Sequence, residues 1–260
     1  LVEGPSAEEF MNFFQHERSL IPEDCEQLVR IQFDFKRLDH DRLLALIRDT
    51  KLQSWLLVES PAILLINGGS SSLPQSETSF FSSKLVESMR LTMQSNPSIS
   101  VLSFFCGQHR DLTDVYSNPS ELMMSLLLQL VEFCNRLSPA HLLASMSNLN
   151  PTEVVSICEA FEKLVETLDE DFRVFIIIDG LQFFAEPANR REKMLEVVKR
   201  LLGICKKPQG ATMKLLLASP SRSAFVEDML DDGEILNLPT HCRPAGVYGG
   251  TRLADLIPQK

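Results

Sequence analysis

Ala62-Ile63-Leu64-Leu65-Ile66-Asn67-Gly68-Gly69-Ser70-Ser71-Ser72-Leu73-Pro74-Gln75-Ser76-Glu77-Thr78-Ser79 is the stretch on which the reading of this chain turns. Its first six residues are an almost unbroken apolar run of strand length, closed by a Gly pair, without the alternation of a half-exposed strand. That pattern fits a strand covered on both faces. A loop of small residues follows, and from residue 79 to 94 apolar side chains recur at helical spacing. Strand, small-residue loop and helix in this order open a parallel sheet, because parallel neighbours need a crossover between them.

Four more runs share the character of the first: residues 99–106, 172–178, 213–219 and, more weakly, 234–238. Helical periodicity fills the intervals at 119–137, 151–168, 189–206 and 222–230. Right-handed crossovers put such helices on both faces of the sheet. Residues 59–240 are therefore expected to form an α/β domain, a three-layer sandwich around a mainly parallel five-stranded sheet. Residues 1–58 read as an N-terminal helical segment, with Pro22 opening its second stretch, and residues 241–260 as an irregular tail carrying Gly246, Gly249 and Gly250.

With 25 basic and 35 acidic residues the formal charge is −10, a mean field that repels nucleic-acid backbones and anionic membranes. The short basic pairs Arg190-Arg191 and Lys206-Lys207 read as solvated faces. The six cysteines form no C-x-x-C pair, so neither a zinc module nor a redox motif is indicated. Cys106 with His109, joined by His241-Cys242, is the one pairing that would make a metal site; packing is the simpler reading. No apolar run reaches the length of a membrane span, and Leu1-Val2-Glu3-Gly4-Pro5 lacks the features of a signal peptide. A soluble intracellular protein, cytoplasmic or nuclear, is expected. The chain opens on Leu rather than Met, which reads as a fragment or processed form of something longer.

Ligands of an open parallel sheet bind beyond the carboxyl ends of its strands, so the residues after each strand carry the functional question. Gly68 to Ser79 lies where a phosphate-binding loop lies, between a buried strand and a helix N-terminus whose amides and dipole favour anions. Such a loop reads G-x-x-x-x-G-K-[ST], with the lysine on the β- and γ-phosphates and the hydroxyl on magnesium. Counted strictly from Gly68, Leu73 and Pro74 occupy the Gly-Lys positions. A longer loop sets Ser76-Glu77-Thr78, followed by Ser79, in place of Gly-Lys-Thr, and so reverses the charge. After the third strand stands Asp179-Gly180-Leu181-Gln182, an apolar strand ending in an acid of the kind that orients magnesium, with Gln182 where a second acid is often found. The fourth strand ends Ala218-Ser219-Pro220-Ser221-Arg222, where Ser219 and Arg222 hold the place of a polar sensor of the γ-phosphate; a Ser-Pro helix start is the plainer reading.

As an ordered set these runs resemble the NACHT-like nucleotide-binding domains of fungal STAND proteins: Ile63 to Gly68, Leu102-Ser103-Phe104-Phe105-Cys106, Ser125-Leu126-Leu127-Leu128-Gln129-Leu130, Ile177-Ile178-Asp179-Gly180-Leu181 and Leu215 to Arg222. The resemblance covers about residues 40–240. It implies the strand order 5-1-4-3-2, with Asp179 beside the loop, and a site that uses ATP or GTP as a conformational switch. This chain departs from the pattern at the chemistry: no loop lysine, Glu77 near its place, Gln182 in the acidic cluster.

Two functions follow. The first is a catalytically inactive P-loop NTPase-like domain without cofactor, kept as a protein-interaction scaffold or assembly subunit, with self-association a further option. Its partner surface would involve Phe10, Phe13 and Phe14, unless these simply pack on the domain. The alternative is an ATP- or GTP-binding switch with magnesium, in which Lys84 or Arg222 replaces the missing lysine. A different α/β enzyme built on Asp179 with His109 or His141 has no positioned acid–base pair in its favour.

Overall fold

The computed structural model describes residues 7–14, 17–30, 39–69, 76–135, 146, 149–207 and 210–240. The centre of the small-residue loop, His141, the His241-Cys242 pair and the tail from 241 onward lie outside the described residues. Five strands form one sheet: β1 Ala62–Asn67, β2 Ile99–Phe105, β3 Arg173–Asp179, β4 Thr212–Ser219 and β5 Ile235–Asn237. All pairings are parallel, in the order β2-β3-β4-β1-β5, which is the expected order read from the opposite edge. In register, Asn67 lies opposite Ser219 and Phe105 opposite Asp179, so the strand ends named from sequence come out at one rim.

Ten helices surround the sheet among the described residues: α1 Ala7–Phe13, α2 Leu20–Arg30, α3 His40–Arg48, α4 Thr50–Leu57, α5 Glu77–Ser95, α6 Pro119–Asn135, α7 Val154–Val165, α8 Gln182–Ala185, α9 Ala188–Lys206 and α10 Ala224–Glu227. Alternate residues of each central strand feed opposite layers, since successive side chains of a strand point to opposite faces. Leu65, Leu102, Phe104, Ile176, Ile178, Leu215 and Leu217 pack with α6, α7 and α9. Leu64, Ile66, Val101, Phe105, Phe175, Ile177 and Leu216 pack with α2 to α5. Both faces are buried, which is why the strands read as continuous apolar runs. No described helix is long and apolar enough to cross a membrane.

The helices before β1 are not an appendage. Leu28, Leu43, Leu46, Leu52 and Trp55 belong to the same core as the sheet and, with α5, complete one layer. Buried Lys214 of β4 ties them in: its ammonium donates to the Trp55 and Leu56 carbonyls at 2.7 and 3.0 Å, at the end of α4 where the helix dipole favours a cation. Burial pulls its pKa down to about 8, with Arg173 adding repulsion. Phe13 is exposed and meets Phe14 edge to face at 5.0 Å, while Phe14 packs on the α6 core.

One expected element is shorter than its pattern. The helical reading of 222–230 is realised only as the four residues of α10, because the chain leaves helical pairing through i to i+3 turn bonds at Met229 and Leu230.

Candidate functional site

The rim formed by the carboxyl ends of β1, β3 and β4 carries most of the residues singled out from sequence. Gly68 leaves β1 with its N–H on the Ser219 carbonyl at 2.7 Å, and a Cβ there would lie 2.5 Å from the Pro220 oxygen. Only glycine lets the two backbones approach so closely. Gly69 follows with a φ of 73°. The described chain resumes at Ser76, the N-cap of α5: its Oγ accepts from the Ser79 N–H at 3.3 Å and lies 2.8 Å from Thr78 Oγ1 and 3.2 Å from Ser79 Oγ. Of the two loop registers, the longer one therefore places Glu77 as the first residue of α5. Leu73 and Pro74 of the shorter lie outside the described residues.

Glu77 does not point free into the rim. Its Oε2 is 3.5 Å from Arg42 Nε, and its Oε1 accepts from the Asp39 N–H at 3.1 Å. Arg42, 2% exposed, also donates to the Pro239 carbonyl at 2.6 Å and to the Gly68 carbonyl. One guanidinium thus fastens α3, the end of β1, the second residue after β5 and the start of α5. Asp39 positions it by capping α3 and accepting the Arg42 N–H at 3.1 Å. The carboxylate that the longer register sets in place of the loop lysine is thus engaged in an internal ion pair.

On the other side of α5, Asp179 closes β3 and is 1% exposed. Burial pushes its carboxyl up to about 7, while the nearby Ser79 and Ser82 hydroxyls and the Gly180 N–H favour the charged form and oppose the shift. Its Oδ1 nonetheless has no hydrogen-bond partner among the described residues, nor have Ser82 Oγ, Ser223 Oγ and Gln182 Nε2. Gly180 holds a φ of 70°, and a Cβ on it would meet Gly107 N at 2.6 Å. Ser219 donates to Gln182 Oε1 at 2.5 Å, joining the ends of β4 and β3. Arg222, mostly exposed, is held by both oxygens of Glu227 at 2.6 to 3.0 Å. Glu227 also accepts from Asn67 Nδ2 at 2.7 Å, and Asn67 reaches Asn237 at 2.8 Å and takes the Ser223 N–H at 3.2 Å. Lys84, the other substitute cation, is paired to Glu87 at 2.9 Å one turn further along α5.

The Cys106–His109 pairing resolves differently. His109 Nδ1 lies 2.7 Å from Asp114 Oδ2 and its Nε2 lies 3.0 Å from Asp24 Oδ2, so both ring nitrogens are engaged. Burial alone would lower the His109 pKa, but the hydrogen bonds and charges of the two aspartates outweigh it and the net shift is upward. The Asp24 carboxyl is raised as well, by burial against the pull of His109. The cluster pins α2 to the loop after β2. Burial holds the Cys106 thiol far above its usual range, which leaves it protonated. Among the described residues no group of His, Cys, Asp and Glu is arranged to hold a metal.

Sequence reasoning missed Arg42, Asn67, Asp24 and the two serines Ser82 and Ser223. Arg42 left one signal: it stands four residues before Leu46, on the apolar stripe of its helix, where an arginine is buried only with partners. The others left none, since their roles depend on neighbours far along the chain.

A nucleoside triphosphate with magnesium, the group this layout implies, does not fit the described rim. Glu77, which holds the lysine position in the longer register, is paired with Arg42, and both substitute cations are bound to their own glutamates. Among the described rim residues singled out from sequence, Asp179 is the acid without a cation partner.

An all-parallel five-stranded sheet in this order, with a glycine-led turn and a helix N-terminus at its rim, defines the class. The family model described as nephrocystin 3, N-terminal, matches residues 44–219, and the chain belongs to that family. No curated protein and no solved structure matches the chain.

Proposed function

We propose that this is a nucleotide-binding fold of the NACHT-like, STAND type whose phosphate site has been converted into a structural joint, and that it serves an intracellular assembly as a protein-binding scaffold without hydrolysing nucleotide. The observation that carries this reading is the Arg42–Glu77 pair. At the start of α5, where a phosphate would need an unopposed cation, the chain places a carboxylate, and it spends a buried guanidinium on holding that carboxylate and two backbone carbonyls. The loop residues Ser70 to Gln75 add no basic side chain. Losing a charge-assisted contact to phosphate costs more than losing a neutral hydrogen bond, and no described residue at the rim restores it.

Calorimetric titration with ATP, GTP and ADP in magnesium tests the proposal. The expected result is no magnesium-dependent binding in the micromolar range, and a saturable micromolar response would overturn it. One observation favours a second reading, a weak nucleotide switch: Asp179 keeps a buried, unpartnered oxygen at a cost in stability, as an acid awaiting a cation would. On that reading Asp179→Ala abolishes the magnesium dependence of whatever response is seen.

A further inference from the structure

We infer that a second site, unrelated to the rim, binds a small organic anion in a cavity at the free edge of β2. Because β2 is the outer strand of the sheet, its far side is walled by α5 and α6 instead of by another strand. A cavity of about 290 Å³ opens there, with Arg90 and Gln94 of α5 on one side, Glu132 of α6 on the other, Ser100 and Val101 of β2 at the back, and Arg18 at the mouth. That volume suits a compact ligand of a few heavy atoms more than a nucleotide.

Three features make this an anion site. The Arg90 guanidinium makes no hydrogen bond or ion pair among the described residues, and burial lowers its pKa, so a charged donor is held half-buried without a partner. The Glu132 carboxylate acts electrostatically on Arg90 and lies 3.4 Å from Arg18, so the lining carries two guanidinium groups and one carboxylate. Ser100 Oγ, in a residue 1% exposed, is also without a partner, a buried hydroxyl ready to donate.

The strand backbone adds a fourth donor, the Val101 N–H, with the Val101 carbonyl beside it as an acceptor. In a parallel strand the N–H and C=O of one residue point to the same side, and alternate residues face the same neighbour. Ser103 faces outward, because Gln129 takes both its N–H and its C=O at 2.9 Å. Val101 therefore faces outward too, into the cavity, where no Gln129 covers it. Met93 and Phe133 supply an apolar wall. The chemistry recognised is an oxyanion on a short carbon body, either a carboxylate taken by a guanidinium in a fork or a phosphomonoester taken by the same donors.

Titration calorimetry of the whole protein at low salt, with succinate, glycerol 3-phosphate and inorganic phosphate as probes, decides the matter and separates the two oxyanions. The expected result is one site per chain for at least one probe, with a dissociation constant below about 1 mM that weakens at high salt. Arg90→Gln should weaken it by roughly tenfold or more and Ser100→Ala by about threefold. Arg18→Gln, on a side chain 58% exposed, should weaken it severalfold without touching the core, and so serves if Arg90→Gln fails to fold. No heat and no rise in Tm with any of the three probes, or unchanged affinity in both arginine variants, overturns the site.

Discussion

Two buried acids flank the start of α5, and the protein treats them in opposite ways. Glu77 is met by Arg42 and by the Asp39 N–H, and its ion pair doubles as a clamp on the ends of β1 and β5. Asp179 is surrounded by hydroxyls yet keeps an oxygen unbonded, with unbonded polar atoms of Ser82, Gln182 and Ser223 in the same region. A buried carboxylate that has its counter-ion is architecture, even though Arg42 Nε itself makes no hydrogen bond among the described residues. An acid that lacks one is buried at a cost in stability, which makes the half of the rim around Asp179 the place to test for binding chemistry.

The sharpest way to break this contrast is to remove the clamp. Arg42→Met leaves Glu77 buried without its cation and frees two carbonyls, and should lower stability by about 3–5 kcal/mol in urea unfolding. The double variant Arg42→Met with Glu77→Gln should recover much of that loss, since the uncompensated charge is gone. If the single variant is nearly neutral, Glu77 is not held as described and the phosphate-site reading reopens.

Asp179→Asn should have the opposite sign. The unfolded chain releases this proton near pH 4 and the folded chain at about 7, so the native state loses stability as pH rises between those values. Forcing ionisation corresponds to at most about 4 kcal/mol. The asparagine variant should therefore be more stable by about 2 kcal/mol at pH 8 and little changed at pH 4.5. Destabilisation at pH 8 would mean that the acid already has a partner.

The His109 cluster extends the comparison to one cation shared by two acids, and the effect expected is the smallest. The folded pKa of His109 is raised, so its contribution is complete below about pH 6.5 and is lost as pH climbs through the folded value. The raised pKa of Asp24 acts in the same sense. Glu17 reaches the cluster through Tyr116, and Arg190 stands behind it on the Arg110 carbonyl. His109→Gln should cost about 1 kcal/mol at pH 6 and less at pH 9 by urea unfolding. An equal cost at both pH values would show that shape rather than charge holds α2 in place.

The sheet was legible because burial on both faces writes itself into composition. Strands such as Phe175-Ile176-Ile177-Ile178 leave no polar alternation to mislead, and only the short β5 gave a faint signal. The position of the candidate site was legible for a related reason: Asp179 and Ser219 each end a strand, Gly68 and Gly180 each follow one, and in a parallel sheet all strand ends meet at one rim. The short α10 was overread because its periodicity continued past the point where turn bonds took over.

The amino-acid order alone therefore settles the layers, the loop's place between β1 and α5, and the absence of a lysine there, since these rest on periodicity and residue identity over a few neighbouring positions. Only the tertiary structure settles what became of the charge at that place. Arg42 and Glu77 are 35 residues apart, and Pro239 is 197 from Arg42. Such pairings are fixed by which helices pack against which strands, and a long-range ion pair in a dry interior leaves no periodic trace in the chain that makes it.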